Sequence, residues 1–369
     1  MKELILSLPF FKQLYLKKRT NSRDLIPYDK VDTFLNEAEK VLLDNRMLSD
    51  NMKIGIVKDG KEPNGYTFNR YYYPKYARFL KNNNIDYIYY DIYKSDWISK
   101  AKEFDLIIWH TASDPITQDI ALNKIYILDK ILKKKCLPSF DEIWSYENKV
   151  NANYLYEVYN LPTIPTFISF DEAESLDYIS KCDYPIISKS RTASASAGVK
   201  KITTPKKAYK LVKKIFSSKG LKTNYFHDRQ KNYVYFQNYI KDATYDLRVI
   251  TIGKIALGYY RYPKKGDFRA SGAGIYEKKM IPDEALKIAF KVKDLFGATC
   301  LATDLLYSEH TKQYYIIESS IFIGVDTPRQ LEINGISGYY ELTKDGSFIF
   351  KEGRFWIQEL TLKSLLEDY

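Results

Sequence analysis

Short apolar runs alternating with helix-like segments constrain this chain more than any other feature. Residues 53–57 (KIGIV), 86–90 (DYIYY) and 105–109 (DLIIW) each read as a short buried strand. A tyrosine-rich stretch leading to a helix that ends near 82–84 separates the first two, and a helix over about 118–135 follows the third. Parallel neighbours in a sheet need a crossover of a dozen or more residues, so this rhythm predicts an α/β unit with a doubly wound parallel sheet. Gly55 and Gly60 do not form G-x-G-x-x-G, so the dinucleotide fingerprint is absent. Residues 52–140 therefore read as an α/β platform for a substrate.

The rest of the chain changes character. Residues 148–159 are helical and end at Leu161, Pro162 and Pro165; 184–189 (YPIISK) reads as a strand and 190–198 (SRTASASAG) as a loop of small residues. Thr204 and Pro205 supply an N-cap and first-turn proline for a helix whose buried stripe is Ala208, Leu211, Val212, Ile215 and Phe216, with Gly220 placed to stop it. Strands follow at 233–240, at 247–252 and, across a Gly253-Lys254 turn, at 255–260. An amphipathic helix over 282–296 then precedes a hairpin of 300–307 with 314–319, giving an α+β C-terminal part. Upstream, Leu35, Ala38, Val41 and Leu42 recur at helical spacing, which predicts a helical arm over 1–51.

At 369 residues the chain has room for two or three domains. Lys and Arg outnumber Asp and Glu by 57 to 46, a net charge of +11 that favours acidic partners: nucleotides, acidic metabolites, anionic glycans or nucleic acid. No zinc-finger spacing, RNA-binding aromatic signature or repeat supports the last of these. Cys136, Cys182 and Cys300 are widely spaced with no C-x-x-C, which predicts a reducing cytoplasm and buried thiols. No stretch approaches the roughly 20 apolar residues of a membrane span. The start lacks a cleavable signal and reads as an arm packed on the protein. His110, His227 and His310 lack metal or triad spacing, and 111–114 after the third strand is a candidate substrate loop.

Two carboxylates carry the chemistry. Asp304 lies mid-strand in LATDLL and Glu318 ends the partner strand in YYIIESS. Burying such groups costs several kcal/mol unless cations face them. Magnesium bound by carboxylate, phosphate and water meets that need, and so does pairing with Arg or Lys. Lys189, at the end of an apolar strand before a loop rich in backbone donors, suits a polyphosphate.

The order of these features resembles the ATP-grasp superfamily, in particular the branch of the ribosomal-protein glutamate ligase and the glutathione synthetases, over roughly 52–325. The residues that carry it are Lys149 in YENKV, Lys189 in YPIISK and the loop ending Ala197-Gly198-Val199. They continue through Gln237-Asn238-Tyr239-Ile240, Asp246-Leu247-Arg248, Arg261, Arg269 in GDFR, Asp304 and Glu318-Ser319-Ser320. The resemblance implies an ATP-grasp fold behind an N-terminal pre-ATP-grasp unit: 52–140 as substrate domain, 141–235 as lid and small lobe, and 236–369 as large lobe with a C-terminal extension. It implies an ATP-dependent carboxylate–amine ligase working through an acyl phosphate. Lys149 and Lys189 hold the ATP phosphates, with Ser194, Ser196 and Gly198 closing over them. Gln237, Tyr239 and Ile240 line the adenine hinge, and Asp246 accepts from the ribose. Arg248, Arg261 and Arg269 serve the γ-phosphate and the substrate carboxylate. Asp304, Glu318 and Ser320 hold one or two magnesium ions.

Three positions depart from the family pattern. Ser320 and Ser271 stand where it has Asn, and Asn238 replaces an acidic hinge residue. A kinase on the same fold and a catalytically weakened nucleotide-binding protein therefore stay open beside the ligase. The expected substrates are a small carboxylate and an amine, such as an amino acid, a peptide or an acidic sugar, and the default soluble assembly is a homodimer.

Overall fold

The computed structural model describes residues 25–44, 52–60, 65–192 and 198–367. Three sheets organise it. The first is a four-stranded parallel sheet in the order Tyr87–Tyr89, Ile54–Val57, Leu106–Trp109 and Lys135–Leu137. Its two central strands are buried throughout, which is why they read as unbroken apolar runs. The fourth strand begins where the helix expected over about 118–135 was to end. The Pro115–Ile125 helix continues as a π-helical turn over Tyr126–Ile131, Lys133 takes φ 55°, and the chain reverses into the strand.

The second sheet is antiparallel, in the order Thr166–Ser169, Val234–Asn238, Ile186–Lys189 and Val199–Ile202. The Glu172–Lys181 and Pro205–Ile215 helices pack on it around Ile179, Ile186, Val212, Ile215, Val234 and Phe236. Thr204 accepts from Lys207 N at the start of the second of these helices, with Pro205 in its first turn. The small-lobe boundary drawn at 235/236 cuts the Val234–Asn238 strand, so the unit runs to Asn238.

The third sheet has eight antiparallel strands. Gln313–Ser320, Cys300–Ser308, Asp246–Ile252 and Ile255–Tyr262 lie side by side in it. Its apolar face shares one core with the parallel sheet. Gly258 is needed within it: a Cβ there would sit 2.2 Å from Arg248 O.

The helical arm is corrected where it is described. Leu25–Pro27 is a strand paired with Tyr66–Phe68, Tyr28–Lys30 is a single 3-10 turn, the α-helix spans only Val31–Leu35, and residues 36–44 have no helix; residues 1–24 and 45–51 lie outside the described residues. Leu35 and Ala38 are buried by Trp356, whose Nε1 donates to Leu35 O at 2.9 Å, while Leu42 is exposed. The Ile357–Glu367 helix packs on Tyr73–Asn82, with Arg78 paired to the buried Glu359 at 2.7 Å. Residues 356–367 are thereby fastened to Leu35, Ala38 and the Tyr73–Asn82 helix. Among the described residues no helix is long and apolar enough to cross a membrane.

Candidate active site

A cleft of about 850 Å³ separates the small antiparallel sheet from the large one. Strand register builds its charged floor. Residues two apart on a strand share a face, so Asp246 and Arg248 point together. Asp246 lies opposite Arg261, Arg248 opposite Asp304, and Asp304 opposite Glu318 on the next strand. Arg248 grips Asp304 with two hydrogen bonds of 2.7 Å each. Arg261 Nη2 lies 2.6 Å from the same carboxylate as an ion pair out of hydrogen-bond alignment, and its Nε donates to Asp246. Against the desolvation that opposes ionisation, the two guanidinium groups hold Asp304 well below the usual carboxylate range. Burial pushes Asp246 up, with Arg261 opposing.

A bulge between Asp304 and Leu305 leaves Ile317 outside the register. Its carbonyl is taken by Lys189 Nζ at 3.3 Å, reaching across from the small sheet. Lys189 is 7% exposed, and burial lowers its pKa to about 8; Glu318 opposes that shift and Lys149 reinforces it. Lys149 opens the Lys149–Val158 helix behind the N-cap Asn148 and donates to Glu318 Oε1 at 2.9 Å. The two lysines thus enter from different elements, Lys149 bonded to Glu318 and Lys189 to the neighbouring Ile317 carbonyl, giving the cleft a cationic end. Such an end stabilises anions far better than an aqueous surface does.

The other expected residues divide. Tyr239 and Ile240 line the cleft beside Ile164, Ile187 and Leu306, an apolar slot on either side of the strand end. Lys201 Nζ sits 3.6 Å over the Tyr239 ring. Gln237 also borders the cleft, but its amide donates to Thr166 at 3.0 Å, tying two strands together. Asp246 is engaged by Arg261 rather than open to a ribose. Arg269 lines the cleft as well, yet bonds Asp267 at 2.8 Å in its own exposed loop, so it stands apart from the Asp304 cluster. Gly198 O accepts from Ser190 N at 3.2 Å at the base of the small-residue loop; Ser194 and Ser196 lie outside the described residues.

Magnesium is the cofactor to be tested against these residues. Asp304 and Glu318 face each other in register and both line the cleft, a donor pair suited to a hard divalent cation. The pair would hold one such ion with Glu318 and with an Asp304 oxygen released by Arg248 or Arg261. Ser320 does not extend the set: its hydroxyl donates to Phe322 O at 2.8 Å. Among the described residues no three His, Cys, Asp or Glu side chains cluster as a metal site.

A RimK-like ATP-grasp domain matches residues 147–335, half of the chain, with the floor, both lysines and the slot inside it. The chain belongs to the RimK-like ATP-grasp family. Like other members it is an ATP-dependent carboxylate–amine ligase. It is similar to the alpha-aminoadipate–LysW ligase LysX of Saccharolobus solfataricus, 25% identical over 265 residues, covering 70% of this chain and 86% of that protein. Among solved structures, D-cycloserine synthetase DcsG superposes with a TM-score of 0.55 at 10% identity, covering 86% of this chain and 99% of that one. The N5-carboxyaminoimidazole ribonucleotide synthetase PurK gives 0.50 at 13% identity, over 76% and 72%. These two show the fold.

One residue of this site escaped the sequence reading. Glu147, two positions before Lys149, takes φ 50°, a left-handed backbone conformation uncommon for Glu. In the sequence it is one more charged residue in a polar turn; only the fold sets it beside Lys149 and Glu318.

Proposed function

We propose that this ligase activates a small acidic carboxylate as its acyl phosphate in the cleft and passes the acyl group to an amine, releasing ADP and phosphate. The observation that carries this reading is the convergence of Lys149, Lys189, Arg248 and Arg261 on the facing pair Asp304 and Glu318. Attack of a carboxylate on the γ-phosphorus brings two anions together, and fixed cations must be in place before charge develops. Lys149 and Lys189 hold the phosphates from two sides. Tyr239 and Ile240 offer backbone groups to the adenine edge in the apolar slot. Asp246 orients Arg261, which with Arg248 meets the γ-phosphate and the attacking carboxylate. Asp304 and Glu318 hold one magnesium ion, which neutralises phosphate charge when bound. Arg269 and Ser271, at the outer wall, meet the substrate rather than the reacting atoms.

An acidic acceptor is supported by where the charge lies. Between residues 199 and 231, part of the lobe that covers the cleft, ten lysines and one arginine stand against one aspartate, a strongly basic segment in a chain whose net charge is +11. A field of that sign raises the local concentration of anionic substrates. The name of the LysX relative likewise places an acidic amino acid, alpha-aminoadipate, among its substrates.

The test is ADP release from magnesium ATP across a matrix of carboxylates and amines. A pair in which both members are required supports ligation. ADP release with one carboxylate or hydroxyl compound and no amine supports phosphotransfer instead.

A further inference from the structure

We infer that Glu147 seats the ammonium group of the incoming amine, an assignment that rests on the ligase reading. Lys149, Ile317 and Glu318 form a wall shared by two spaces: the main cleft on one side and, on the other, a narrow recess with room for no more than a water-sized group, also lined by Glu147, Tyr156 and Ser319. A group in the recess is therefore one side chain away from the lysine that holds the phosphates. The back of the recess is fixed by Tyr156, whose hydroxyl donates to Ser319 Oγ at 2.7 Å.

Glu147 is built for an occupant. Its Oε2 is buried without a hydrogen-bond partner, although buried carboxylate oxygens ordinarily find one. Its backbone is held at φ 50° between the Phe140–Ser145 and Lys149–Val158 helices, a conformation that persists only where the surroundings enforce it. The charged groups acting on it are Lys149, Glu318 and Arg248. Burial raises its pKa to about 7, with Lys149 opposing and Glu318 reinforcing the shift. The two carboxylates flank one lysine, leaving negative potential on the side away from the phosphates. A primary ammonium has three donors and the size of a water molecule, and it answers both the open acceptor and the potential. An anionic or apolar co-substrate answers neither.

The experiment measures thermal stability of the full chain, saturated with magnesium and a non-hydrolysable ATP analogue, during titration with methylammonium chloride against sodium chloride at equal ionic strength. The wild type should show a saturable rise in Tm with methylammonium alone. Glu147→Gln should move its midpoint at least tenfold higher while keeping the nucleotide-induced shift, and Glu147→Asp should recover part of the response. An unchanged response in Glu147→Gln overturns the assignment, as does a wild type that treats methylammonium and sodium alike. Loss of the nucleotide shift in Glu147→Gln alone would place the residue in the nucleotide site and overturn it too. Absence of that shift in the wild type defeats the ligase reading itself, and this inference with it.

Discussion

Asp304 and Glu318 are register partners on adjacent antiparallel strands, yet they answer to different cations and differ widely in exposure. Asp304 is 2% exposed and held by Arg248 and Arg261; Glu318 is 35% exposed and held by Lys149. Removing the charge of the first strands two buried guanidinium groups. Asp304→Asn is expected to lower stability by about 3–5 kcal/mol. Glu318→Gln should cost under about 1 kcal/mol because its pair is partly solvated, while abolishing the magnesium dependence of ATP binding. Denaturant unfolding beside a magnesium titration of ATP affinity checks both. Equal losses of stability would refute the asymmetry.

Lys189 is expected to make nucleotide binding pH-dependent. Burial lowers its pKa to about 8, so the unliganded protein already favours the neutral amine above that pH. Phosphate favours the ammonium, so binding above pH 8 takes up a proton. ATP affinity should be flat below about pH 8 and fall by up to about tenfold per pH unit above it. In the unliganded protein the sign reverses: a depressed lysine pKa penalises folding below 8, and that penalty fades as pH rises toward 10.5. Calorimetric Kd values from pH 7 to 9.5 test this, with Lys189→Arg expected to flatten the profile.

How much of this could be read from the chain depends on how local the signal was. The YPIISK and YYIIESS segments announce themselves because a charged residue ends or interrupts an apolar run, and the strand pairing then places Lys189 and Glu318 in one cleft. The grip of Arg248 and Arg261 on Asp304 needed register across three strands, which no window of sequence encodes. The helical periodicity of Leu35, Ala38 and Val41 misled because Trp356, more than 300 residues away, buries the first two while Val41 joins the main core. Glu147 was invisible for a similar reason: its meaning lies in a φ angle and an unmatched oxygen.

Trp356 gives a stability prediction away from the site. Its side chain is fully buried, 5.0 Å from the ring of Phe34 and 5.0 Å from Lys75 Nζ. Trp356→Ala should cost about 3–5 kcal/mol and loosen the 31–35 helix, leaving ATP affinity in the folded fraction unchanged. Chemical denaturation with parallel nucleotide titration decides it.

Gly258 supports the floor from the neighbouring strand. A Cβ there meets Arg248 O at 2.2 Å and Ile281 Cδ1 at 2.9 Å. Gly258→Ala must push the two strands apart, so a loss of about 1–3 kcal/mol is expected, with ATP-dependent turnover falling further because Arg248 moves. A variant of native stability and activity would show that the sheet yields more easily than its geometry implies.

The small sheet joins the rest of the molecule through two crossings, residues 159–165 going in and 239–245 coming out, and they are stitched to each other where Asn238 N donates to Pro165 O at 3.0 Å. Pro162 O is pinned in turn to Ile316 N of the large sheet at 2.8 Å. Two strands of chain bound side by side form an axle. Any rocking of the lysine-rich lobe about that line would leave Tyr239, beside it, nearly still and carry Lys189 and Val199, at the other end of their strands, further. The mechanics separate two tasks along one lever: the end near the pivot can grip early and keep its hold, and the far end can open and shut over the reacting groups without disturbing it.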